Sequence, residues 1–404
     1  MNEQCLSTAE RDRRYALIRK EMAARQLDCL VVYGDSSKWD QRSDNLQYVV
    51  NVGGNGEEGI CLFPLKGEPT YFIWSNVGGV YAATWESPWL EDIRSPDERH
   101  WSTGVVKYLQ ERQLADRRIG VVGLGGLMEP EGIFPYTTLY KIKEALPRAE
   151  MVNATDLMER IRMVKSKEEL DLMREAIRIG DEAILLFAEQ VKSGMRSDKV
   201  FGHLLSALAL SGSEFPVMVL FAAGPDISHA LRFPDKRILV PGDIILNEIS
   251  PRYRGYWAHF QRPIAISAPS PSYRKVYDVA VQSYNNALAV LRPGITLADL
   301  AAAFWEPIGK AGMKSLSPYL HGCGLRGSEF PVLKPEPPGV PVGEGARGLY
   351  DRVGKIRVEE GMVFAFEPQV IDQEGRGVHF GDPIFVTKNG YERVSRLPPD
   401  LMVV

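Results

Sequence analysis

Cysteine is scarce and scattered. Cys5, Cys29, Cys61 and Cys323 include no CxxC pair, which argues against a thiolate metal site or a disulfide framework and fits a reduced compartment. A basic excess is also missing. The net charge is −4, so nothing draws the chain as a whole to nucleic acid or to an anionic membrane. No apolar run approaches the roughly 18 residues that a membrane-spanning helix needs. The opening "MNEQCLSTAERDRRY" is polar and holds no signal-peptide core, so a cytoplasmic protein is expected. No internal repeat, low-complexity tract or nucleic-acid motif is evident. "NVGGNGEEGICLF" is rich in glycine but lacks phosphate-loop spacing, which argues against nucleotide binding.

What remains is the balance of a globular protein able to bury a large core: 404 residues, 45% hydrophobic and 25% charged. That length suggests two domains or one large one. "STAERDRRYALIRKEMAARQLD" reads as an amphipathic helix and "CLVVYG" as a buried strand. "GICLF", "TYFIW" and "IGVVG" read as further strands, alternating with helical segments near Trp101–Gln113 and Thr137–Ala145. This predicts an α/β amino-terminal domain. Ser166 with Glu169 makes a capping box that opens a long helix. The boundary falls near Met151–Met163, giving domains of 1–155 and 156–404. The second domain mixes helices (Pro271–Leu291, Leu297–Gly312) with strands (Pro216–Ala222, Ile244–Ser250, Tyr256–Ile266, "GMVFAFEPQVI", "VHFGDPIFVT"), an α+β pattern.

Polar residues stand where strands should be apolar. "LNEISPRYRGYWAHFQRP" reads as a β-hairpin carrying Glu248 and His259 on its two arms. A turn centred between Tyr253 and Arg254 would set the two directly opposite each other. Glu367 interrupts "MVFAFEP", and a buried carboxylate is costly unless paired or ligated. His229, His259, His321 and His379 each border a strand or a glycine-rich turn. Taken singly, a strand histidine is ordinarily a hydrogen-bonded structural residue, and a glutamate before proline ordinarily faces water. Several together shift the balance toward a site.

The residues then carry a resemblance. "NLQYVVNV" and "IRMVKSKEELDLMREA" in the first domain, with "PGDIILNEISPRYRGYWAHFQRP", "HGCGLRGSEFPVL", "EEGMVFAFEPQVI" and "DPIFVTKNGYERVS" in the second, resemble the pita-bread superfamily of methionine aminopeptidase, aminopeptidase P, prolidase and creatinase. The resemblance covers essentially the whole chain. It implies a pita-bread carboxy-terminal domain, the creatinase/aminopeptidase fold, and a homodimer. Its peptidases hold two metal ions with two Asp, one His and two Glu. Mapped by motif, the two Asp positions fall on Glu248 and His259, the His on His321, and the two Glu on Glu367 and Gly381. Of two peptide-binding histidines, one is kept as His229 and the other becomes Ser328, beside Glu329.

A two-ion site needs bridging carboxylates, and this mapping leaves too few, so a dinuclear centre is not expected. The favoured expectation is a metal-free, creatinase-like hydrolase. It would cleave a non-peptide C–N bond of a small, charged nitrogen compound by His/Glu acid–base chemistry. His229, His321, Glu367 and Glu248 would be catalytic. His259, Ser328 and Glu329 would bind substrate, with Asn55, Glu57 and Glu58 of an amino-terminal loop that in creatinase-like dimers reaches the partner's site. The alternatives are a single Zn, Fe or Mn ion on His259, His321, Glu367 and Glu248, serving a hydrolase or a lyase, or a catalytically dead module that binds a peptide or a partner. Cys323 reads as packing rather than a nucleophile, and His379 and Asp382 as solvent-facing residues at a strand end.

Overall fold

A computed structural model describes residues 6–36, 42–52, 58–73, 89–96, 100–128, 130–215, 217–225, 227–228, 234–315, 318–334 and 352–404. The chain divides into two compact units, Met1–Arg162 and Met163–Val404.

The first unit runs α1 (Thr8–Ala24), β1 (Cys29–Asp35), α2 (Asp44–Val50), β2 (Glu58–Pro64), β3 (Thr70–Ile73), β4 (Asp92–Arg94), α3 (Trp101–Glu111), β5 (Arg118–Val122), α4 (Tyr136–Ala145), β6 (Glu150–Asn153) and α5 (Thr155–Arg162). The strands form one mixed sheet in the order β4-β3-β2-β1-β5-β6. The unbroken apolar run of β1 marks a strand covered on both faces. Val31 and Tyr33 of that strand, with Ile60, Leu62 and Phe72, meet Trp101, Val105, Tyr108 and Ile142 of α3 and α4 in one core. Cys29 is buried there as a free thiol, and Cys61, between Ile60 and Leu62 on β2, is a buried free thiol on the opposite face of the sheet.

The second unit continues with α6 (Lys167–Gln190), α7 (Ser197–Leu210), β7 (Met218–Gly224), β8 (Ile244–Ser250), β9 (Arg252–Tyr253), β10 (Tyr256–Trp257), β11 (Phe260–Gln261), β12 (Ile264–Ala265), α8 (Pro271–Val290), α9 (Leu297–Lys310), β13 (Lys314–Ser315), β14 (Leu320–Gly322), β15 (Glu329–Leu333), β16 (Val363–Phe366), β17 (Gln369–Ile371), β18 (Gly377–His379), β19 (Asp382–Thr387), β20 (Gly390–Arg393) and β21 (Met402–Val403). The capping box closes as the sequence suggests: Ser166 Oγ accepts from the Glu169 amide, and the Glu169 carboxylate accepts from the Ser166 amide.

This unit is built twice over. The α6–α7 turn "VKSGMR" and the α8–α9 turn "LRPGIT" occupy matching places. Gly194 and Gly294 both sit at positive φ, and their amides donate to Leu239 O and Val358 O, each at 2.8 Å. The Leu239 and Val358 amides return bonds to Met195 O and Ile295 O, again at 2.8 Å. The α6–α7 pair packs against β7, β9 and β10, and the α8–α9 pair against a small antiparallel sheet, β13-β17-β18; two larger sheets, a mixed one built on β8 and an antiparallel one in the order β15-β14-β16-β19-β20, complete the unit. The repeat is hidden in the sequence because it is a repeat of turns and periodicity, with side chains that differ.

The hairpin turns one residue later than expected. Tyr253 pairs with Tyr256, and Arg254 and Gly255 both take positive φ, the pattern of a two-residue type I′ turn. The Glu214 carboxylate clamps it, accepting from the Arg254 and Gly255 amides at 2.8 and 2.9 Å. Gln261, not His259, therefore stands opposite Glu248. Moving the centre by one residue moves the pairing by two, so Glu248 and His259 keep the same face as diagonal neighbours.

A cluster of two glutamates and three histidines

Three sheets of the second unit contribute. Glu248 comes from β8 and His259 from just before β11, while His321 lies on β14, Glu367 follows β16, and His379 ends β18. The β8 sheet and the sheet that holds β19 are stitched here by a backbone bridge between Gln261 and Gly381. Glu367 is the hub. His259 Nε2 lies 3.0 Å from Glu367 Oε2 and 3.4 Å from Glu248 Oε1. His321 Nε2 lies 3.5 Å from Glu367 Oε1. His379 spans both acids, with Nδ1 3.2 Å from Glu248 Oε2 and Nε2 3.6 Å from Glu367 Oε2. All five are buried except Glu248, whose side chain keeps 13% exposure.

Neighbours fix how each ring points. His259 Nδ1 meets Ser250 Oγ at 2.8 Å. His321 Nδ1 donates to Gly322 O at 2.7 Å. Gln261 Nε2 donates to Glu367 Oε2 at 3.0 Å. Without a bound cation the cluster holds itself together with protons. Burial lowers the affinity of His259 for a proton, but its contacts with Glu248 and Glu367 outweigh that and carry its pKa up to about 10. The same opposition brings His379 to about 9. Burial would raise the Glu248 carboxyl, yet the two imidazoles hold it at about 2. Against the same burial, His321, His259 and His379 hold Glu367 well below the usual carboxylate range.

The donor set suits a divalent ion. The bond to Gly322 O places the proton of a neutral His321 on Nδ1, so Nε2 faces Glu367 Oε1 as one acceptor facing another. A cation between them satisfies both. Metal-ligating histidines characteristically donate their other nitrogen in this way. One nitrogen each from His259 and His321 and one oxygen from Glu367 all lie within 4.8 Å of one another, and so do donor atoms of Glu248, Glu367 and His379.

The sequence singles out four members of this cluster and misses the fifth. His379 is 4% exposed, not solvent-facing. A signal is present: His379 stands two residues before Gly381, the alternation that returns a side chain to the same face of an extended chain. Asp382 is fully buried as well and accepts from Arg262, from Arg393 Nε at 2.8 Å and from Tyr284 at 3.0 Å. Gly381 has no space for a side chain, since a Cβ there would lie 1.9 Å from Phe366 O.

Other singled-out residues lie elsewhere. Glu329 is buried against Lys165 Nζ at 3.0 Å and accepts from the Arg326 amide, while Ser328 is half-buried in the turn before β15. Glu58 accepts from Tyr33 and from Trp101 Nε1, each at 2.9 Å, within the first unit. His229, Asn55 and Glu57 lie outside the described residues. Burial pushes the Cys323 thiol up to about 12, and its Sγ donates to Trp257 O at 3.1 Å, so it is a packed thiol.

Comparison with known proteins agrees with the geometry. Residues 14–164 match the creatinase/prolidase N-terminal domain, and residues 171–388 match metallopeptidase family M24. The Xaa-Pro dipeptidase of Pyrococcus furiosus is 25% identical over 67% of this chain and 74% of its own. Among solved structures, an Xaa-Pro dipeptidase from Bacillus anthracis superposes with a TM-score of 0.80 at 20% identity, covering 98% of this chain and all of that one. Dipeptidase PepE from Mycobacterium ulcerans reaches 0.77 at 24% identity, covering 99% of this chain and all of its own. These relatives are named as peptidases, and the matching family is one of metallopeptidases. Both findings overturn the expectation of a metal-free, creatinase-like hydrolase of a non-peptide C–N bond with no cofactor. The physical reason is that His259, His321 and Glu367 alone bring together donors fit for a divalent ion, so a glycine at position 381 does not abolish the site. The α/β unit and the α+β unit are the two halves of the pita-bread creatinase/prolidase fold, and the chain belongs to metallopeptidase family M24.

Proposed function

We propose that this chain is a divalent-metal-dependent hydrolase of the peptide bond in short peptides, dipeptides first. The observation that carries the proposal is the buried trio of His259, His321 and Glu367, whose donor atoms converge while Ser250 and the Gly322 carbonyl orient the two rings from behind. The named activity of the similar dipeptidases supports the peptide bond as target.

Two imidazoles and one carboxylate suit Zn²⁺ or Fe²⁺. When bound, such an ion supplies Lewis acidity toward a carbonyl and makes water a nucleophile near neutral pH. The chain supplies the rest. Gln261 pins Glu367, so the hub carboxylate cannot swing away. Burial excludes bulk water and strengthens every charge interaction in the cluster. Glu248, the least covered of the five, marks the side from which substrate approaches.

The test is turnover of a dipeptide panel that includes Xaa-Pro sequences, with protein stripped by chelator and then reloaded with Mn²⁺, Zn²⁺ or Fe²⁺. Release of free amino acids only after reloading is expected. No turnover of any dipeptide with any of these ions overturns the proposal.

A further inference from the structure

We infer that the cluster contains a second cation seat, formed by Glu248 and His379 and sharing Glu367 with the first, and that His379 supplies the donor that position 381 lacks. This rests on the metal-dependent reading of the same site. The ligand set differs from the one implied by resemblance, which called on position 381. That position is closed: a Cβ there would lie 1.9 Å from Phe366 O, 2.5 Å from Gln261 Oε1 and 2.9 Å from Glu367 Cα. The backbone there is bonded to Gln261 in both directions, at 3.1 and 3.2 Å. No substitution at 381 restores a ligand without undoing that pairing.

The compensating group stands two residues earlier. His379 is nine-tenths or more buried, and its Nε2 has no hydrogen-bond partner among the described residues. A buried imidazole nitrogen without a partner is costly, and it faces Glu367 Oε2 across 3.6 Å. Donor atoms of Glu248, Glu367 and His379 lie within 4.8 Å of one another, the same limit that holds for the first trio. Glu367 belongs to both trios, as a shared carboxylate must. Charge ranks the two seats. One divalent ion balances the two carboxylates with all three imidazoles neutral. A second leaves two positive charges uncompensated in a buried place, so it binds more weakly, by about tenfold or more, and more tightly when an anion enters with it.

Titration of chelator-stripped protein with Mn²⁺, followed by calorimetry and by electron paramagnetic resonance, separates the cases without using activity. The expected result is two binding events per chain, the second weaker, with a spin-coupled manganese pair once both are filled. His379→Ala and, independently, Glu248→Gln are expected to abolish the weak event and the coupled signal while keeping the tight one. His321→Ala is expected to remove the tight event. A single event in the wild type overturns the second seat and leaves the metal-dependent function standing. Two events that survive both His379→Ala and Glu248→Gln also overturn it, since the weak ion then binds elsewhere. No binding at all overturns the second seat and the proposed function together.

Discussion

Two buried charge clusters lie side by side in the second unit, and they are built on opposite principles. Around Asp382 the cations are permanent. Arg262 and Arg393 both bond its carboxylate, Tyr284 adds a third donor, and Arg262 also braces Gly381 O at 2.7 Å. Around Glu367 every cationic partner among the described residues is a histidine, whose charge comes and goes. Arginine keeps its proton in any protein setting, so the first cluster is a fixed brace. Imidazoles release theirs to a metal, so the second can exchange protons for an ion. Burial of charge alone does not separate a brace from a site. The identity of the cation does.

The comparison can be broken most severely at its hub. Glu367→Gln keeps the shape and removes the charge common to both trios. Turnover and tight metal binding are expected to fall below detection, read by dipeptide hydrolysis and calorimetry, while circular dichroism stays native. Arg262→Met is expected to do the reverse. Stranding part of the Asp382 carboxylate should cost about 3–5 kcal/mol of stability, read by urea unfolding, with any loss of metal binding following the loss of fold. Ser250→Ala removes only the group behind His259. A fall of about 10–100-fold in metal affinity is expected, with a loss of about 1–3 kcal/mol of stability from the orphaned His259 Nδ1.

The pH response should also divide the two clusters. In metal-free protein His259 and His379 titrate near 10 and 9, above their ordinary value. Raised histidine values mean a stabilising contribution that is complete below about pH 6.5 and is lost as pH rises through 9 to 10. Glu248, held at about 2, contributes above about pH 4.5 and loses that contribution as pH falls toward 2. Chelated wild type should therefore weaken above pH 8, and His379→Ala should weaken less steeply there. Apparent metal affinity should rise over the same alkaline window, because binding releases those protons. The smallest effect is expected at Cys323→Ala, where the packed thiol gives way to a slightly smaller group and turnover should persist, checked by the same dipeptide assay.

Much of this architecture is legible in the amino-acid sequence. The α/β and α+β halves follow from apolar periodicity, and Glu248, His259, His321 and Glu367 stand out as charges in strands that ought to be apolar. The hairpin register is not legible, because Tyr253, Arg254 and Gly255 permit two turn centres, and the one adopted is clamped by Glu214 from 40 residues away in sequence. His379 is hidden by a local expectation: a polar residue near a strand end ordinarily faces water, and the packing of β18 against β8 makes it a partner of Glu248. Arg262 and Asp382 are 120 residues apart in sequence, so their brace exists only in three dimensions. Glu329 resembles a pocket acid by its place beside Ser328, and its engagement by Lys165 depends on a contact spanning 164 residues.

The most direct test is the metal content of untagged protein purified without chelator, by elemental mass spectrometry, alongside Glu367→Gln. At least one divalent ion per chain in the wild type and essentially none in the variant is the expected result. A wild type that carries no metal, and takes none up after stripping and reloading, would contradict the claim that His259, His321 and Glu367 form a metal centre.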